Sequence, residues 1–256
     1  MVSLSSITAG LQPTNKLYLN DSYLGTVETT LLRYVPETRR SGYFVTTDTI
    51  MHPKGGAQPS DTGTLESANF KAVVKKVLEH SGVVVHYGDI KEGTPREGEK
   101  VSMMIAWEER YRVMRLHTAG HIVDYAVVEL LGRDLLSSRA FHGPPESFVE
   151  YIGRVGGIDL ASLERISNVV VKASKRVYPV WVPRQELLKT VRGAPNLARL
   201  PELETYRVIV IDGVNAIPCG GTHVANTAEV RGILIKKVEE VMDGFKVVYD
   251  VADCPL

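Results

Sequence analysis

Trp107-Glu-Glu-Arg-Tyr-Arg-Val-Met-Arg-Leu-His117-Thr-Ala-Gly-His121-Ile-Val-Asp-Tyr-Ala-Val-Val-Glu-Leu-Leu131 divides this 256-residue chain. Trp107, Tyr111, Met114, Ile122, Ala126 and Leu130 recur at helical intervals, so the stretch is predicted as the strongest helix of the chain. Gly132 ends it. His117 and His121 are four apart, which stacks them on one face a turn apart. A second motif, Cys219-Gly-Gly-Thr-His223, repeats the four-residue spacing with two glycines inside it. It is expected to be a tight turn that points both side chains the same way.

Before the helix the chain is rich in strands. Segments 16–19, 25–34, 43–47, 83–87 and 100–106 carry β-branched and aromatic residues between turn signals. Short strands at this spacing predict a small β-barrel. Residues 68–80 interrupt them as a helical or an extended crossing segment. The Gly-, Pro- and charge-rich run 92–99 is taken as a boundary, giving a barrel domain over 1–95 and a second domain over 96–256. In the second, Asp159 is the expected N-cap of a helix running to Val177, and Pro183 opens a short helix to Val191. Strands follow at 205–211, 232–241 and 245–251, with Met242-Asp-Gly244 as a hairpin turn. The expected class is α+β, with helices packed on an antiparallel sheet.

Composition narrows the function. Apolar residues make up 44% and charged residues 23%, which is ordinary for a globular protein. No apolar run approaches the ~18 residues of a membrane span. The first residues lack the basic and apolar regions of a signal peptide. Two cysteines make no disulfide framework. A cytoplasmic location is expected, with Cys254 a bystander. Thirty basic side chains balance thirty acidic ones, which argues against indiscriminate DNA binding but leaves room for a small footprint on one folded RNA.

Cys219, His117, His121 and His223 form a complete set for a tetrahedral zinc ion. A lone helical histidine is usually a hydrogen-bonded structural residue; two such motifs together argue for a divalent metal, and thiolate plus imidazole suits zinc. Thr118 stands where a zinc protease of the His-Glu-x-x-His type has its glutamate. Four protein ligands are the structural pattern, whereas catalytic zinc keeps a position open. The spacing leaves both roles open. Pro53-Lys-Gly-Gly-Ala-Gln-Pro-Ser-Asp-Thr-Gly63 lacks the Gly-Lys-Ser/Thr of a P-loop. Gln58 and Asp61 are nonetheless candidates to hydrogen-bond a ligand, against the plain alternative of a turn. Arg110, Arg112 and Arg115 lead into the His pair, either as an exposed basic helix start or as a phosphate contact.

Asp21-Ser-Tyr-Leu24, Pro53-Lys-Gly-Gly-Ala-Gln-Pro59, Glu109-Arg-Tyr-Arg-Val-Met-Arg-Leu-His-Thr-Ala-Gly-His121 and Cys219-Gly-Gly-Thr-His-Val-Ala-Asn-Thr-Ala-Glu-Val230 occur in this order. Together they resemble the AlaX family, free-standing alanyl-tRNA editing proteins related to the alanyl-tRNA synthetase editing domain. The expected N-terminal barrel resembles the medium-length type. The likeness runs from Asp21 to Val230. It implies hydrolysis of the ester in tRNA(Ala) mischarged with serine or glycine, because an alanine pocket rejects an added hydroxyl or a missing methyl weakly. It implies one zinc ion per chain on His117, His121, Cys219 and His223. It also puts Gly55, Gly56 and Gln58 near the substrate. His52 and Arg115 are further substrate-binding candidates, the latter from the basic helix start. Thr118 and Thr222, each next to a ligand, are candidates with Gln58 for the catalytic role of holding the serine hydroxyl or a water.

Three positions depart from the family. Ala57 replaces the third glycine of Gly-Gly-Gly-Gln, Met51-His52 stands for Phe-Tyr, and Ala106 for an aspartate. The first two bear on amino-acid specificity. Competing functions are a non-catalytic zinc-stabilised tRNA-binding module and a metal-dependent hydrolase of small esters. Aminoacylation is not the expected activity, since the chain is short for a class II synthetase core beside this domain and shows no nucleotide-binding signature. Monomer and dimer remain equally open.

Overall fold

The computed structural model describes residues 2–154, 156 and 158–255. They form two compact units: Met1–Gly55 with Pro59–Tyr111, and Gly56–Gln58 with Arg112–Leu256.

The first unit starts with the short helix α1 (Leu4–Thr8), capped by the Ser3 side chain accepting from Ser6 N. A two-residue parallel pair follows, β1 (Asn15–Lys16) with β4 (Asp48–Thr49). The barrel is built from β2 (Thr26–Pro36), β3 (Ser41–Thr46), β5 (Gly63–Glu66), β6 (Phe70–His80), β7 (Val83–Gly93) and β8 (Lys100–Ile105). These close in the order β2-β3-β7-β6-β5-β8, with every neighbouring pair antiparallel. Closure leaves no edge strand to template aggregation. Alternation drives it: in β8, Val101, Met103 and Ile105 are buried while the residues between are exposed. Leu31, Phe44, Leu65, Phe70, Val74 and Val77 meet them in one core. The segment 68–80 is therefore a strand, and the run 92–99 joins β7 to β8 of the barrel. Residues 17–19, expected to be extended, form a 3-10 turn.

Helix α2 (Trp107–Leu131) has the bounds expected from its pattern. Its residues through Tyr111 belong to the first unit, and Arg112 onward to the second. The second unit continues with β9 (Ser137–Phe141), β10 (Ser147–Ile152), α3 (Leu160–Lys172), β11 (Val177–Pro183), α4 (Leu187–Thr190), β12 (Thr205–Ile211), β13 (Asn215–Pro218), β14 (Ile233–Val241) and β15 (Gly244–Val251). One sheet runs β14-β15-β10-β9 and the other β11-β12-β13, both antiparallel. Helix α3 packs on β14, with Asp159 capping it by accepting from Ser162 N. The fold is α+β, as expected. Helix α3 stops at Lys172, short of Val177, because Ser174 turns into the left-handed region at φ 50° and Val177 pairs with Ile211 in a sheet. No helix among the described residues is long and apolar enough to cross a membrane.

Candidate metal centre

The second unit brings His117, His121, Cys219 and His223 together. One ligand atom from each lies within 4.8 Å of the other three. Helix α2 supplies the first two from adjacent turns, with their rings 5.4 Å apart and nearly perpendicular. Cys219 and His223 come from the loop after β13, which Arg207 of β12 fastens. Its Nη1 donates to Cys219 O at 2.8 Å and to Gly221 O at 2.9 Å, while Cys219 N donates back to Arg207 O. Gly221 is required by space. A Cβ there would lie 2.2 Å from His117 Cε1 and 2.6 Å from Gln58 Oε1.

Distances and protonation fit a zinc ion. Cys219 Sγ is 3.3 Å from His117 Nε2 and 3.4 Å from His223 Nε2. A tetrahedral ion with ordinary zinc–sulfur and zinc–nitrogen bonds separates such atoms by about 3.5 Å. His117 Nδ1 donates to Gln58 Oε1 at 2.8 Å. Thr118 spends its hydroxyl hydrogen on Met114 O at 2.9 Å, so its oxygen accepts from His223 Nδ1 at 3.2 Å. Both imidazoles thus carry hydrogen on Nδ1 and turn the Nε2 lone pair toward the thiol, the arrangement of metal-bound histidine. His121 Nδ1 is buried with no hydrogen-bond partner, the state of a group built for an additional neighbour. Burial above all, then His142 and Arg207, pushes the His121 pKa down to about 3, so its ring is neutral. Burial also raises the Cys219 thiol, a balance that a coordinated cation reverses.

The three residues expected to be catalytic lie around these ligands, and each is already engaged. Gln58 Oε1 also accepts from Thr222 N at 2.9 Å, and its Nε2 donates to Thr222 Oγ1 at 3.0 Å. Thr118, Thr222 and Gln58 are all essentially inaccessible to solvent. Their bonding orients His117 and His223. Gly55 and Gly56 are exposed. Gly56 and Ala57 both have positive φ, 56° and 64°, so Ala57 adopts the conformation that suits the glycine it replaces.

Arg110 and Arg115 behave differently from either expectation. Arg115 is buried and donates through Nη2 to Val230 O at 3.0 Å and to Ala252 O. Its guanidinium ties α2 to the second unit's core and is not presented as a phosphate contact. Arg110, in the first unit, is buried against Asp61. Nε bonds Oδ1 at 2.9 Å, Nη2 bonds Oδ2, and further bonds reach Ser22 O and Ile50 O. Asp61 also accepts from His52 N at 2.5 Å, so its oxygens serve the first unit's interior. His52 is buried there, its ring edge-on to Tyr18. Arg112 pairs at the surface with Asp250 and Asp253. The tail of the second motif is structural: Asn226 and Glu229 form a capping box around the turn Thr227–Val230.

One residue near the ligands carries no sequence signal. His142 is buried and stacks on His117, with centroids 4.4 Å apart and planes 22° apart. It lies outside both motifs.

A half-buried thiol and three buried imidazoles, two of them held in the metal-binding tautomer, give this α+β protein a cluster that could hold a metal ion. The family described as "Threonyl and Alanyl tRNA synthetase second additional domain" matches residues 206–248. The family described as "tRNA synthetases class II (A)" matches residues 24–109. An alanine–tRNA ligase of Halobacterium salinarum is 34% identical over 242 residues, 92% of this chain and 26% of the ligase. That of Metallosphaera sedula is 31% identical over 91% of this chain and 25% of its own length. That of Saccharolobus islandicus is 30% identical over 94% and 27%. The chain spans about a quarter of the length of these relatives. The chain is thus related to alanyl-tRNA synthetases, in keeping with its resemblance to the AlaX family.

Proposed function

We propose that this protein is a trans-editing hydrolase, a cytoplasmic aminoacyl-tRNA deacylase that cleaves mischarged tRNA(Ala), chiefly Ser-tRNA(Ala) and also Gly-tRNA(Ala), at a zinc centre. The observation that carries this is the four-ligand cluster, in a chain aligned over nine-tenths of its length with alanine–tRNA ligases. When bound, a zinc ion supplies positive charge that anchors and polarises the aminoacyl end of the substrate. His117, His121, Cys219 and His223 hold it. Gln58 and Thr118 keep the Nδ1 protons of His117 and His223 in place, so both rings present a lone pair at neutral pH. Thr222 locks Gln58 through two hydrogen bonds, and its burial keeps bulk water away from that pairing.

Four protein ligands fill a tetrahedron, which favours an anchoring role for the metal over generation of a free hydroxide. No carboxylate is assigned as acid or base. The attacking water is then polarised by a backbone carbonyl or by the ribose hydroxyl next to the ester. Discrimination of serine from alanine rests on hydrogen bonding of the serine hydroxyl, whereas glycine, which also lacks it, differs from alanine only by the missing methyl.

The test is deacylation of Ser-, Gly- and Ala-tRNA(Ala) by purified protein of known zinc content. The expected outcome is loss of the serine and glycine esters with the alanine ester spared. Survival of Ser-tRNA(Ala) with zinc bound would leave the non-catalytic tRNA-binding module as the better account. Equal hydrolysis of short aminoacyl-nucleosides would favour a small-ester hydrolase.

A further inference from the structure

We infer that His142 is a positioning residue for the metal ligand His117, acting from two directions at once. This rests on the metal-centre reading above. His142 follows β9 in the chain, and its main-chain N donates to Ala57 O at 2.7 Å. Ala57 precedes Gln58, whose Oε1 takes the Nδ1 hydrogen of His117. The backbone of His142 therefore fixes the loop that carries the acceptor for His117. Its ring lies over His117 nearly parallel, at 4.4 Å between centroids. One residue thus sets both the plane of the ligand ring and the position of its hydrogen-bond partner.

Tyr249 of β15 holds His142 in turn. The tyrosine hydroxyl donates to Leu116 O at 3.1 Å, so its oxygen accepts from His142 Nδ1 at 2.6 Å. Leu116 immediately precedes His117. The bonding closes a circuit: Leu116 O, Tyr249 hydroxyl, His142, Ala57 O, Gln58 and His117. Both members of the support are buried.

Gly120 makes room for the circuit. A Cβ on Gly120 would lie 2.5 Å from His142 Cε1 and Nδ1 and 2.6 Å from the Tyr249 hydroxyl. Mid-helix glycine costs about 1 kcal/mol relative to alanine. Its presence one turn beyond His117 is accounted for by this space. A core histidine that merely satisfied its own hydrogen bonds would not need to lie flat on a ligand.

The experiment uses the full chain with His142→Ala, His142→Phe and Tyr249→Phe. Three quantities are measured: zinc affinity by chelator competition, the visible spectrum of the cobalt-substituted protein, and thermal stability of the metal-free protein. Supports of metal-bound histidine typically change affinity by about 10–100-fold when removed. His142→Ala is expected to weaken zinc binding by about tenfold or more and to shift the cobalt bands. His142→Phe keeps a stacked ring and should fall between alanine and wild type. Tyr249→Phe should move affinity in the same direction as His142→Ala, which covers the case in which His142→Ala does not fold. Saturating zinc should restore deacylation to His142→Ala if the defect is one of metal positioning. Zinc affinity and cobalt spectra unchanged in His142→Ala and Tyr249→Phe, whatever happens to metal-free stability, would overturn the inference while leaving the metal centre intact. A wild-type chain that binds no zinc would overturn both.

Discussion

Ala57 shows how one side chain registers a backbone constraint. It sits at φ 64°, where an L-residue with a Cβ is disfavoured by about 1–2 kcal/mol. Ala57→Gly relieves that strain and gives back part of it as unfolded-chain entropy. The expected net effect is a gain of roughly 0.5–1 kcal/mol, read from the urea midpoint. Asp124 is the contrasting case. Burial raises its carboxyl to about 7, against the opposing influence of the Tyr151 hydroxyl 2.6 Å away. A carboxyl with a folded pKa above its unfolded one holds a proton that unfolding releases. Its contribution to stability is therefore greatest near pH 4 and declines as pH rises to about 7, by up to about 1.4 kcal/mol per pH unit. Asp124→Asn should flatten that decline in the metal-free protein and be the more stable form above pH 7. Urea unfolding at pH 5, 6, 7 and 8 measures it.

At the scale of elements, α2 concentrates the information. Gly120→Ala improves helix propensity by about 1 kcal/mol, yet its Cβ would collide with His142 and Tyr249. Net destabilisation is expected in spite of the better propensity, seen as a lower thermal midpoint. The same helix was legible because its large apolar residues recur at helical intervals across 25 positions. Barrel strands β2, β3, β7 and β8 were legible, as the period-two alternation of β8 illustrates, whereas β5 was not expected and β6 was left between helix and strand. Other elements left weaker traces. In β9, Ser-Ser-Arg-Ala-Phe carries little apolar pattern, and it forms by pairing with β10. Strand β11 follows α3 without a Gly or Pro break at its start, so helix and strand merge in the sequence. The residues of the His and Cys cluster could be read from spacing. Their supports could not: Thr118 and Gln58 act through hydrogen bonds across 105 and 59 positions, and His142 acts by stacking. The arginines misled because charge suggests a surface, whereas Arg110 and Arg115 each find enough acceptors to be buried.

At the scale of the molecule, each unit has its own means of cohesion. The first closes a barrel and anchors a buried Arg110–Asp61 pair. In the second, the ligand cluster joins α2 to the loop after β13, far apart in sequence. A metal bound only by the folded state stabilises it in proportion to ligand excess, about 4 kcal/mol at a thousandfold over Kd. Chelation should therefore lower the unfolding midpoint of the wild type and have no such effect on Cys219→Ala, as followed by calorimetry with and without chelator.

The central claim is that the cluster serves an editing hydrolase. The most direct test is hydrolysis of Ser-tRNA(Ala) beside Ala-tRNA(Ala), with zinc quantified on the same sample. The account predicts one zinc per chain, rapid loss of the serine ester and persistence of the alanine ester. Zinc at one per chain with both esters intact would contradict it.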